Sequence, residues 1–405
     1  MNHGLKRKNL SLVISGIAVL AFALVLTFYP SAVDNNGDLT NKLLIVTIGV
    51  DVTKDGLTVS GVSAEPQATG SDGGVVVTTP VSASGRSINE CITKIGQRTG
   101  KTVDLGLCGV IVLGPEVARE GVTTLLETVL TENLVSPGAF LVQAEEQTAK
   151  QFIERSTKLA GSSAVVLTSL IKEAQSNTDV TATTLLRFLS DVEGESECAC
   201  IPLISATEVK SGGGEQAQSG GSGSEQKYEV QPIERLAVFK KGRLIDKLTV
   251  TQSKGFTWLD KHTEKGTLVC ENFIFQGENL GTVSADLVGR SCRVKAKFDG
   301  DNPVVTLKAK AKLKSADRER VNKISKDKKV NAKAVDLSYE ENFKKEIENQ
   351  INATLEFCKK NDCDLFGFSV QLYRFRNREY KRFRESDRNL LEEVDVSVEI
   401  KVEIQ

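Results

Sequence analysis

The 405-residue sequence holds two histidines, one tryptophan and one methionine, the initiator. Two histidines leave little for a His-based triad, a His-rich metal site or a proton shuttle. Aromatic residues make up 5% of the chain. Charge of one sign is also missing: Lys plus Arg is 52 and Asp plus Glu is 53, for a formal net charge of −1. A chain so balanced is not built as a general nucleic-acid binder, although local basic patches remain open to it. Apolar residues at 40% and charged residues at 26% give ample material for a core. The length suits two or three domains at roughly 100–200 residues each.

One apolar run stands out. Leu10 to Tyr29 carries no charge, and a helix of about 20 residues is about 30 Å long, the thickness of a bilayer's hydrocarbon. Lys6, Arg7 and Lys8 precede it and Asp34 and Asp38 follow. Basic residues stay on the cytoplasmic side, so the body is expected outside. A cleaved signal peptide is the competing reading, but Tyr29-Pro30-Ser31-Ala32 is a poor cleavage site. No cysteine precedes Cys91, which excludes lipidation at a membrane-proximal cysteine. The expected plan is a basic cytoplasmic N-terminus (1–9), a transmembrane anchor (10–29) and an N-terminal α+β domain (39–205). A Gly/Ser-rich linker or surface loop (206–228), a middle β-rich domain (229–290) and a C-terminal α+β domain (291–405) follow.

Local patterns support the α+β class. Leu43–Asp51 and Val110–Gly114 are continuous apolar runs of buried-strand type. A Lys54-Asp55-Gly56 turn leads to a second strand, Leu57 to Ser63. Ser87 with Glu90, and Ser338 with Glu341, have capping-box spacing. Phe343, Ile347, Ile351, Leu355 and Cys358 form one helical face. A single helix is expected to carry Val117, Val122, Leu125, Leu126, Val129 and Leu130. Leu236–Phe239 and Leu244–Leu248 flank a Lys240-Lys241-Gly242-Arg243 turn and read as a hairpin. Val304–Leu313 and Val394–Ile404 alternate apolar and polar with period two, as half-buried strands do.

Chemical motifs fail on inspection. Thr99-Gly100-Lys101-Thr102 has Ile95 where a phosphate loop needs Gly, and it lies between a helix and a strand in the wrong order. Asp51 and Asp104 read as turn formers near strand ends, and His262 as a surface residue. Of eight cysteines, Cys198 with Cys200 and Cys358 with Cys363 are the close pairs; neither has zinc-site spacing. Buried thiols are the plain reading of most, with the state of these four open. The sequence nominates no catalytic residue, cofactor or metal ligand set. It does nominate contact residues: the strand face Lys308, Lys310 and Lys312 and the hairpin turn Lys240, Lys241 and Arg243, for a partner or anionic headgroups. A second basic concentration runs from Arg374 to Arg388.

Three stretches in order resemble a known family. LLIVTIGVD at 43–51 with VIVLGPEVARE at 110–120 is the first. LAVFKKGRLIDKLTVTQSKGFTWL at 236–259, a hairpin followed by Gly and a Trp-Leu pair, is the second. The helix from Glu346 leading to DLFGF at 364–368, with a basic-aromatic stretch and a final alternating strand, is the third. Over roughly residues 39–405 the chain resembles the C-subunit family of bacterial spore germinant receptors, the Ger(x)C proteins. The resemblance implies a non-enzymatic, extracytoplasmic subunit of three α+β domains at the spore inner membrane. It also implies two integral-membrane partners, the A- and B-type subunits, one of them transporter-like and expected to bind the germinant. No nucleic acid is expected as a partner. The chain departs from the family in lacking a lipobox cysteine, in the expanded segment 206–228 and in its C-terminal aromatics, met only by Tyr380 and Phe383. A membrane-anchored envelope scaffold and a wall-remodelling enzyme are the alternatives.

Overall fold

The structure, a computed structural model, describes residues 41–67, 75–159, 167–177, 179–209, 227–259, 265–315 and 332–405. The expected anchor 10–29, the central part of segment 206–228 and His262 lie outside the described residues.

Two sheets organise the chain. The strands of the first are β1 (Lys42–Thr53), β2 (Gly56–Gln67), β3 (Val75–Gly85), β4 (Thr102–Asp104), β5 (Val110–Leu113), β6 (Phe140–Ala144) and β7 (Cys198–Ile204). A small ladder joins β8 (Ala206–Glu208) to β9 (Tyr228–Val230), and β10 (Leu236–Lys240) and β11 (Arg243–Lys247) complete the first sheet. Its order is β11-β10-β7-β6-β5-β1-β2-β3, with β4 also paired to β1. The central strands β1, β5, β6 and β7 run parallel. The second sheet is ordered β12 (Gly266–Cys270), β15 (Val283–Asp299), β16 (Asn302–Ser315) and β17 (Asp395–Ile404), with a two-stranded ribbon of β13 (Ile274–Phe275) and β14 (Glu278–Asn279) beside it. This mixed architecture agrees with the α+β class.

The helices are α1 (Ile88–Thr99), α2 (Pro115–Glu120), α3 (Thr123–Thr131), α4 (Ala149–Ser156), α5 (Leu167–Ser176), α6 (Leu185–Val192), α7 (Val250–Thr257), α8 (Ala332–Asn361), α9 (Phe368–Phe375), α10 (Asn377–Glu385) and α11 (Leu390–Glu393). The first sheet is covered on both faces. On β5, Ile111 and Leu113 enter one core with α1, α2, α3 and α6, whereas Val110 and Val112 enter the other with α4 and α5. That second core continues through Val238, Phe256 and Trp258 into the apolar face of β16 and the buried stripe of α8.

Several expectations need correction. The helix expected after β5 is two helices, because Gly121 takes φ 117 between α2 and α3, a conformation that L side chains rarely adopt. Half of the first capping box forms: Ser87 Oγ accepts from Glu90 N at 3.2 Å, but Glu90 Oε2 accepts from Arg86 N at 2.7 Å instead of closing the box. Ser338 caps nothing, since α8 is already helical from Ala332; its hydroxyl donates to the Ile274 carbonyl at 2.9 Å. Strand β3 escaped the sequence reading altogether. The hairpin β10–β11 does form, but β10 pairs with β7 and so extends the first sheet. Segment 206–228 has its ends tied, with Ala206 opposite Val230 and Glu208 opposite Tyr228.

Candidate docking surface

The motifs behind the family resemblance are places where backbone comes close to other groups. Gly49 on β1 leaves room for α4: a Cβ there would stand 3.0 Å from the Ala149 and Ile153 side chains. Gly114 makes room for Asp51, whose Oδ1 would lie 2.0 Å from such a Cβ. Asp51 in turn accepts from the backbone N–H of Ala149 at 2.9 Å and of Lys150 at 2.8 Å, holding the first turn of α4. Burial raises its carboxyl above the usual range against those hydrogen bonds. Its position is that of a helix anchor. Asp104 likewise serves structure, pairing with Lys42 at 3.0 Å and accepting from Gly106 N at 2.8 Å.

The Gly and Trp-Leu motif is the joint between the two sheets. A Thr249–Gln252 capping box starts α7, and its Gly255 lies against α8 so closely that a Cβ would meet the Gln350 carbonyl oxygen at 2.0 Å. Thr354 Oγ1 donates back to the Gln252 carbonyl at 2.8 Å. Trp258 is buried, and its Nε1 donates to Gln350 Oε1 at 3.2 Å. The Arg290 guanidinium stacks 5.3 Å over the Trp258 ring and donates to the Thr257 carbonyl at 2.6 Å. One helix of eight residues thereby fixes β15 to α8.

Beyond this joint the second sheet opens to solvent. Its apolar face, Val305, Leu307, Ala309, Ala311 and Leu313, is buried, and α8, α9 and α11 pack against this sheet. The opposite face carries Lys308, Lys310 and Lys312, as the alternation predicts. A register shift between Leu287 and Gly289 re-aims β15. Past it, Arg293, Lys295 and Lys297 join the same basic face, with Arg293 directly opposite Lys308. Like charges so placed repel. Glu399 on β17 relieves the contact, with its Oε2 2.5 Å from Lys308 Nζ. Lys401 pairs with Glu403 at 2.7 Å and holds that carboxyl below its usual range. Lys310 lies between Ser291 and Lys401 in the ladder and is exposed.

Along β15 this face runs into a groove of about 1210 Å³. Trp258, Leu259, Phe366 and Phe375 give it apolar walls, and Arg290, Arg293, Lys295, Lys297, Lys308 and Arg376 give it charge; none of its lining residues is Asp or Glu. Phe375 is 67% exposed at its rim. Such a groove suits an extended acidic segment carrying an apolar side chain. Sequence reasoning found Lys308 but missed Arg293, Lys295 and Lys297, although their period-two spacing carries the same signal as β16. It had no means to bring Trp258 and Phe375 together.

The hairpin turn is spent differently. Lys240 Nζ lies 2.6 Å from Asp362 Oδ2, and Lys241 Nζ 3.3 Å from Glu197 Oε2. Gly242, at φ 71, accepts at its carbonyl oxygen from Val122 N at 2.9 Å, and a Cβ there would strike Thr123 Oγ1. Arg243 remains exposed and its side chain reaches over Gly121. The structure therefore separates the six nominated cations: three share the open sheet face, and three lie on a turn whose lysines are engaged within the chain. Seven of the eight cysteines are buried and Cys292 is half-buried in the groove wall, its thiol pushed up to about 11 by burial. Among the described residues no three of His, Cys, Asp or Glu are grouped to hold a metal ion, and no helix is long and apolar enough to cross a membrane.

Comparison with known proteins follows the two-part build. The model of the spore germination protein N-terminal domain matches residues 35–206, and that of the spore germination B3/GerAC-like C-terminal domain matches residues 234–405. The chain belongs to the C-subunit family of spore germinant receptors. Spore germination protein GerQC of Bacillus cereus is 21% identical over 295 residues, covering 73% of this chain and 74% of that one. The putative spore germination protein YfkR of Bacillus subtilis (strain 168) is 27% identical over 165 residues, or 41% of this chain and 38% of its own. The crystal structure of the GerBC protein superimposes with a TM-score of 0.51 at 13% identity, covering 88% of this chain and 96% of that chain, and so shares the fold. The first family boundary falls on β8 and the second match begins just before β10. The C-terminal family unit thus contributes hairpin β10–β11 to the sheet of the N-terminal one.

Proposed function

We propose that this chain is a non-enzymatic receptor subunit, held by its apolar segment 10–29 on the outer face of the spore inner membrane. It docks the integral-membrane A- and B-type subunits and contributes to nutrient-triggered germination through those contacts. The basic sheet face around Lys308, Lys310 and Lys312, continuous with an acid-free groove, is the observation that supports this reading most. Family membership across both halves of the chain supports a place in a multi-subunit receptor.

The physical role is presentation. The first sheet has helices on both faces, and its hairpin turn is tied down by Lys240 and Lys241. That leaves the second sheet's open face, where exposed cations on rigid strands meet an acidic partner segment without reorganising. Such contacts set orientation and association rate and weaken with salt. The test is co-purification of the membrane subunits with the full chain and with a Lys308→Glu, Lys310→Glu, Lys312→Glu variant. Loss of the partners, with thermal unfolding unchanged, is the expected result; full retention would remove this face from the interface. Cleavage of peptidoglycan by the purified full chain would replace the reading with a wall-remodelling enzyme.

A further inference from the structure

Two close pairs of cysteines, far from each other in sequence, meet in one buried place. Cys198 and Cys200 are neighbours on one side of β7, while Cys358 is in the last turn of α8 and Cys363 follows it. All four belong to the core that joins the two sheets, and Cys198 and Cys363 are 5% and 0% exposed.

Local backbone geometry explains how Cys363 arrives there. Asp362 takes φ 47, and Cys363 N donates to the Cys358 carbonyl at 3.0 Å. That is the Schellman ending of a helix, which folds the residue after the left-handed position back against the last turn. Asp362 is then clamped by Lys240, through its carboxylate at 2.6 Å and its carbonyl. Lys240 is the ladder partner of Cys198. One ion pair therefore registers the end of α8 on the start of β7, with the Cys363 side chain hydrogen-bonded to that of Cys198.

We propose that Cys198 and Cys363 form a disulfide in the exported protein, stapling the N-terminal family unit to the C-terminal one. The proposal rests on the reading that the body lies outside the cytosol, where such bonds persist. Two S–H bonds break and one S–S bond forms. Two electrons and two protons pass to a thiol oxidant of the disulfide class, which is reduced to a dithiol. The hydrogen bond with the Cys198 side chain and then burial push the Cys363 thiol well above its usual range, and burial does the same to Cys358, so attack by a thiolate is suppressed once the core has closed. The bond therefore forms while the second unit is docking. Cys200 is buried too, beside Cys358, and stays a thiol.

The test uses the full chain expressed with its N-terminal segment. Intact cells are treated with a membrane-impermeant protease to read the side of the body. A parallel sample is denatured, alkylated with iodoacetamide and mapped by mass spectrometry without reduction. The expected result is a protease-accessible body and a peptide linked through Cys198 and Cys363, with the other six cysteines alkylated. An accessible body with eight alkylated cysteines, or with Cys358 linked to Cys363, overturns the disulfide and leaves the location standing. An inaccessible body overturns the location; the pairing is then decided by refolding the purified full chain in a glutathione redox buffer. The Cys198–Cys363 link should form there too, and its absence overturns the pairing. Reductant should lower the thermal midpoint of the linked wild type and leave that of a Cys198→Ser, Cys363→Ser variant unmoved.

Discussion

The two sheets solve opposite problems. The first lies between two apolar layers, so β5 reads Val110-Ile111-Val112-Leu113 with every residue at most 1% exposed. The second covers one face, so β16 alternates buried Leu307, Ala309, Ala311 and Leu313 with Lys308, Lys310 and Lys312. A sheet buried on both sides has no face to offer a partner; a sheet buried on one side must keep its other face soluble or covered. The difference teaches where binding can be built without cost to the fold. It also explains why the hairpin turn, though rich in cations, is not equivalent to the sheet face: it is part of the closed sheet.

Substitutions can break or sharpen that contrast. The largest effect is expected from a parity scan. Ile111→Ala and Leu307→Ala should each cost about 3 kcal/mol in urea unfolding, because each empties a packed site. The neighbours then part company: Val112→Ala should cost about 2 kcal/mol, while Lys310→Ala should stay within about 0.5 kcal/mol. A large loss at Lys310 would mean that the sheet's outer face is covered after all.

The joint comes next. Gly255→Ala should destabilise by about 2–3 kcal/mol, since α7 and α8 cannot separate without opening the core around Trp258. A neutral outcome would show that the two sheets are not held by a close helix crossing.

Asp364 offers a test by pH. It is buried and accepts from Phe368 N at 2.9 Å, Ser369 N at 2.7 Å and Ser369 Oγ at 2.5 Å, fixing the start of α9. Asp364→Ala should therefore cost about 2 kcal/mol by stranding those donors. Burial raises the carboxyl above its usual range despite these bonds. The folded chain thus holds the proton to higher pH than the unfolded chain does. The linked stability is full below the ordinary carboxylate value and is lost as pH rises through the raised one. Wild-type unfolding free energy should fall more steeply over that window than that of Asp364→Asn, measured side by side in urea. Equal slopes would remove Asp364 as the titrating group.

The smallest effect on stability, within about 0.5 kcal/mol, is expected for Phe375→Ala at the groove rim. Its consequence should be read instead in weaker partner co-purification.

Legibility followed the same divide. The alternation of β16 and β17 and the stripe Phe343, Ile347, Ile351, Leu355 were plain in sequence, because one covered face imposes a period. The pairing of β10 with β7 was not, because a strand buried on both faces has no period and its partner is chosen by tertiary packing. Strand β3 was missed although its Val75-Val76-Val77 run has strand composition, and Gly121 divided what apolar spacing had joined. Of the site, the lysine face could be read, whereas the groove is assembled from Trp258, β15 and α9, which only the fold brings together.

The central claim is that partners are met on the second sheet's open face. A photo-crosslinking residue placed at Lys310 in the full chain, in membranes that carry the receptor, addresses it directly, with the exposed Leu186 on α6 as the matched control on the first unit. The account predicts an adduct with an integral-membrane subunit from position 310 and none from position 186. Adducts from position 186 alone would contradict it.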